Sequence, residues 1–99
     1  MGSSTTYYLA QVDLNSGRVL LGARDFVAAE TSLRPAIDGY TRVLKPGDVR
    51  IAFAKGLLGE ALIGQGKAEG RQLVEGSLAE LRPALGASHV WVKRLESVR

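Results

Sequence analysis

An internal repeat with a period near 42 residues is the strongest constraint on what this chain can fold into. Leu9, Val12, Ser16 and Leu20 step by three, four and four, the spacing of one face of an α-helix. Ile51, Ala54, Leu58 and Leu62 take the same steps 42 positions later, and the pairs Gly17/Gly59, Leu21/Ile63 and Gly22/Gly64 keep the offset. A second helical pattern follows the first: Ala29, Leu33, Ile37, Tyr40 and Leu44 are echoed 41 residues on by Gly70, Val74, Leu78, Leu81 and Leu85. One residue deleted at the turn near Lys67–Ala68 accounts for the change from 42 to 41. Val90 echoes Val49 at the same 41. Agreement in order across two consecutive helices signals a stacked helical array.

The spacing predicts a first helix over about 6–23, a second over 26–44, a third over 48–65, a fourth over 68–85 and a fifth starting near Ser88. Residues 1–5 are read as disordered or left over from cloning, and 6–99 as one repeat domain: repeat 1 at 6–47, repeat 2 at 48–87 and a terminal helix at 88–98. Thr6, Asp48 and Ser88 are suited to cap helix starts, because a side-chain oxygen there accepts from a free backbone N–H. Pro46 and Gly47 in "KPGD" end one helix and open the next. Pro35 falls inside the second helix, where a kink near Thr31–Pro35 or a break is expected. Gly17 and Gly59 sit within helices at a cost of about 1 kcal/mol each, tolerable where two backbones pack closely.

"LIGQGKAEG", residues 62–70, is one residue off a dinucleotide-binding fingerprint. That fingerprint must follow a strand and open a helix, whereas the residues before it have helical spacing. It reads as a helix–helix turn, with Gly66 in the left-handed conformation that closes helices.

The totals narrow the function classes. A net charge of +3 with scattered basic residues does not announce a nucleic-acid partner. There is no cysteine, which removes disulfides and thiolate chemistry. No apolar run approaches the ~18 residues of a membrane span, and the N-terminus lacks a signal-peptide pattern, so a cytoplasmic setting is expected. His89, the one histidine, sits at a predicted helix start, where it suits capping or solvent. Glu60, Glu69 and Glu75 do not form a recognisable ligand set. No catalytic residues, cofactor or metal are expected.

The chain resembles the tetratricopeptide repeat family, in its variant of about 42 residues. In "GRVLLGARDFVAAETSLRPAI", Gly17 takes the small position of the first helix, Leu20 the large one, Phe26 the turn aromatic and Ala29 the small position of the second. Leu58, Gly59, Leu62 and the turn Gln65-Gly66-Lys67 match in the second unit. Its following helix departs, with Gly70, Val74 and Ser77 at the corresponding places and no turn aromatic. The resemblance implies an all-α, right-handed stack of antiparallel helix hairpins. It implies a concave groove for a protein or peptide partner, lined by Gln11, Asn15 and Arg18 from the first helix and Phe53, Leu57 and Glu60 from the third. The family's lysine–asparagine clamp for a C-terminal carboxylate is not matched. Asn15 fits one clamp position, but Leu14 and Leu57 stand where a lysine and a second asparagine are expected, and Glu60 would repel a carboxylate.

"HVWVKRLESVR" places Val90, Trp91, Leu95 and Val98 on the terminal helix. Stacked arrays need about three repeats and this chain has little more than two, so something must cover the open ends. The terminal helix either caps the stack or offers an apolar edge to a second copy. The expected function is a non-catalytic, cytoplasmic protein–protein interaction module, part of or accessory to a larger bacterial signalling or regulatory protein. Self-assembly into a homodimer through the open repeat ends is the alternative. Neither nucleic acid nor a membrane is an expected partner.

Overall fold

The computed structural model describes residues 2–98. Five α-helices follow one another and no strand occurs among the described residues: α1 (Gly2–Gly22), α2 (Phe26–Val43), α3 (Val49–Gly64), α4 (Glu69–Leu85) and α5 (Val90–Glu96). Each helix packs on the next, and α1 touches α3 as α3 touches α5. The chain is thus a stack of helical hairpins, α1–α2 and α3–α4, closed by α5. Met1 lies outside the described residues. Residues 2–5, expected outside the domain, are the first turn of α1.

The repeat is visible in the backbone as well as the side chains. After α1, the N–H of Arg24 donates to Leu21 O and that of Asp25 to Leu20 O. After α3, the N–H of Gly66 donates to Ile63 O and that of Lys67 to Leu62 O, the same two bonds 42 positions on. Gly66 has φ +76° and Arg24, at the equivalent place, has φ +61°. Repeat 1 therefore tolerates in an arginine the left-handed conformation that glycine adopts freely. The guanidinium of Arg24 lies 5.4 Å from the Phe26 ring centroid.

Helix starts also follow the repeat, with two corrections. Asp48 caps α3, accepting from the N–H of Arg50 at 2.9 Å. His89, not Ser88, caps α5: its Nδ1 accepts from the N–H of Trp91 at 3.1 Å, the same two-residue reach. Thr6 caps nothing, because α1 already runs through it. Asp25 caps α2 by accepting from Ala28.

The core is aliphatic, with Leu33, Leu57, Leu62, Leu78, Leu81 and Leu95 among its largest fully buried side chains. Small residues let the backbones approach. A Cβ on Gly59 would lie 2.6 Å from the Gly70 carbonyl oxygen, and one on Gly17 would overlap the Leu33 side chain. Pro35 does not break α2, which is continuous from Phe26 to Val43. It stands on the exposed side of the helix, as does Thr31, whose carbonyl loses its i+4 donor to the proline ring.

Candidate functional site

Helix α5 decides what the expected groove becomes. It has only seven residues, too few for a stable helix by itself, so its helicity depends on packing. Val92 and Leu95 are both fully buried. Leu95 enters the space left by Gly56, where a Cβ would come within 2.5 Å of it. The Trp91 indole stacks on Phe53, with centroids 4.3 Å apart and planes 4° from parallel. Arg82 of α4 pairs with Glu96 at 2.8 Å, and Arg94 reaches Glu60 of α3 at 3.2 Å.

The six residues expected to line one groove are therefore split. Phe53 and Leu57 are completely buried and present nothing to a partner. Glu60 is mostly covered and paired with Arg94. Gln11, Asn15 and Arg18 remain exposed on α1, and Arg18 lies 6.0 Å from the Phe53 ring centroid. Asn15 and Arg18 meet Val19 and Arg94 around a depression of about 430 Å³. What remains of the expected groove is this small basic corner.

The terminal edge expected to meet a second copy is likewise turned inward. Leu95 is buried, Trp91 is half-buried against Phe53, and Val98 is half-buried beside Phe26, Ile63 and Gly64. Val90 alone of the four stays open, at 69% exposed. The terminal helix caps the stack.

The open apolar surface lies at the other end, on the outer face of α1. Tyr8, Leu9, Val12 and Val19 are all exposed, and Val12, Asn15, Ser16, Val19 and Leu20 line a shallow depression of about 560 Å³. Leu9 and Val12 correspond to Ile51 and Ala54 of α3, and through the 41-residue offset to Val92 and Leu95 of α5. Ile51, Ala54, Val92 and Leu95 are at most 8% exposed, whereas Leu9 is 54% and Val12 42% exposed. Helix α3 packs on the preceding α2, and α5 on the preceding α4; no helix precedes α1 among the described residues. The signal was already in the sequence, because the residues that define the repeat in α1 are those that dock in α3. Gly2–Gly22 holds only two charged residues, Asp13 and Arg18.

The titratable groups serve the scaffold. Glu30 accepts from Gln65 at 2.8 Å and from Arg34 at 2.8 Å, with Lys67 Nζ at 3.4 Å. These partners, Gln65 first, hold its carboxyl down to about 2 and tie α2 to the turn after α3. Arg50 binds Asp48 and donates to the Tyr7 hydroxyl at 2.9 Å, which joins α1 to the first turn of α3. Arg50 hydrogen bonding also lowers the Asp48 carboxyl below its ordinary value. Burial raises Glu60 despite Arg94, and raises the Tyr40 hydroxyl. Among the described residues, no three His, Cys, Asp or Glu side chains are placed to share a metal ion. No described helix is long and apolar enough to cross a membrane.

No family model matches the chain, and no curated protein or solved structure is significantly similar to it.

Proposed function

We propose that this chain is a non-catalytic protein–protein interaction module of tetratricopeptide type, and that its partner-binding surface is the outer face of α1. One observation carries the reading: Leu9 and Val12 are open where their equivalents on α3 and α5 are buried. An exposed apolar stripe at a position whose repeats are all docked is the kind of surface that marks an interaction site. The tetratricopeptide assignment rests on the small and large positions of the two hairpins. The wider setting, a cytoplasmic fragment of or accessory to a larger bacterial signalling or regulatory protein, rests on that resemblance alone.

The test uses matched baits. Wild-type protein and a Val12→Glu/Val19→Glu double variant are compared as affinity baits in extract from the cells that express the chain. Both residues are exposed, so the variant keeps its helicity and melting behaviour. Proteins held by wild type and lost by the variant support the reading. Identical sets on both baits overturn it.

A further inference from the structure

We infer that the α1 face receives a partner segment that is apolar along one side and carries Asp or Glu side chains beside it, with the carboxylates docking between Arg18 and Arg94. This rests on the interaction reading above and names the chemistry of its partner. Two depressions share the walls Asn15 and Val19. One is the apolar trough along α1 that also takes in Val12, Ser16 and Leu20. The other is the corner of about 430 Å³ where Arg18 of α1 meets Arg94 of α5. They form one continuous surface, so whatever covers the trough also borders the two guanidinium groups.

The corner holds more positive charge than its own acids balance. Arg18 is exposed and forms no ion pair with any described residue; its guanidinium lies over the Phe53 ring, 6.0 Å from the centroid. Arg94 is held by Glu60 at 3.2 Å, but its Nε is buried without a hydrogen-bond partner. Glu60 is thus one carboxylate against two guanidinium groups, and burial works against its ionised form. Asp13, the one acid of α1, is about 140° round the helix from Arg18, on the far margin of the stripe. A carboxylate from outside matches the arginine fork with two acceptor oxygens.

Position decides where the carboxylate comes from. Arg18 directly precedes Val19 and stands about 100° round the helix from it, while Leu20 carries the trough past both. The corner therefore opens beside the stripe and not at its end. A segment lying along α1 passes it with side chains, not with a chain terminus. Apolar contact along the trough supplies the burial, and the arginines select an acidic neighbour and fix its orientation.

A random peptide library displayed with its C-termini fused tests the inference, because only side-chain carboxylates can then reach the arginines. Selection on wild type, after removal of peptides that also bind Val12→Glu/Val19→Glu, is expected to enrich peptides that combine apolar residues with Asp or Glu. Fluorescence anisotropy of the enriched peptides then compares variants. Arg18→Gln is expected to weaken binding about fivefold and Arg18→Glu roughly tenfold or more. Arg71→Gln, the same change in net charge at an exposed position of α4, is expected to leave affinity within about twofold of wild type. Circular dichroism checks the fold of each variant. Enriched peptides without an excess of acid, or with affinities indifferent to Arg18, overturn the acidic partner and leave the α1 reading standing. A library that yields no peptide dependent on Val12 and Val19 overturns the peptide as occupant, and the matched-bait comparison then decides the interaction reading by itself.

Discussion

Glu60 shows how one side chain sets a pH dependence of definite sign. Its side chain is 15% exposed, and Oε1 has no hydrogen-bond partner although Arg94 Nη2 lies 3.2 Å away. The angle is poor, and the hydrogen bond runs to Oε2 at 3.3 Å. Burial raises the carboxyl above its ordinary value, and the Arg94 charge only partly offsets this. An acid whose value is raised by folding is penalised when ionised, so its contribution is most favourable at low pH and is lost as pH rises through the folded-state value. Glu60→Gln keeps the shape and removes the charge, and Arg94, whose side chain is 36% exposed, can be hydrated instead. At pH 7 the variant is expected to be as stable as wild type or more so, by no more than about 1 kcal/mol. The difference shrinks once pH falls below the ordinary carboxylate value of 4.5. Thermal melts at pH 7 and pH 4 check this. A clear loss at pH 7 would mean that the ion pair outweighs the burial cost.

At the scale of the helix, two glycines of similar appearance in the sequence have opposite roles. Gly59 on α3 and Gly70 on α4 face each other so closely that a Cβ on either would lie 2.6 Å from the other's carbonyl oxygen. Backbone cannot rotate aside as a side chain does, so Gly59→Ala must push the two helices apart. The expected loss is about 2–3 kcal/mol, overpacking against a small gain in helix propensity. Gly76 on the same α4 has nothing within 4 Å of its missing Cβ, and Gly76→Ala is expected to add about 0.5–1 kcal/mol. Urea unfolding of the two variants separates them by sign. The role of Gly59 was legible because it recurs at Gly17 in a periodic pattern, and helix order, turns and most of the core followed from that same periodicity. The continuity of α2 through Pro35 was not legible, since it depends on which side of the helix faces water. The burial of Phe53 was hidden for a similar reason. Its spacing marks a helix face, but whether that face is open depends on Trp91 of α5, more than thirty residues later in the chain. The α1 surface was within reach of the sequence, because Leu9 and Val12 match residues that are buried in α3.

For the whole molecule, the two ends of the stack are unequal, and α5 is the reason. At one end the outer face of α1 is open; at the other, the seven residues of α5 stack Trp91 on Phe53 and set Leu95 into the gap at Gly56. A stacked array loses its ends before its centre, because a terminal element has neighbours on one side only. Leu95 is the side chain through which α5 enters the gap at Gly56, and Leu95→Ala removes most of that contact, at a cost in the range of 2–5 kcal/mol for a fully buried leucine. An isolated seven-residue helix cannot offset such a loss, so α5 should detach while α1 through α4 stay folded. Trp91 is the sole tryptophan and its ring stacks on Phe53, which makes its fluorescence a direct report on α5. In Leu95→Ala, tryptophan emission is expected to shift to the red at lower urea than the loss of helical circular dichroism, whereas in wild type the two transitions lie closer together. Coincident transitions in the variant would show instead that α5 is part of one cooperative unit, and that the two-hairpin stack has no stability of its own without the cap.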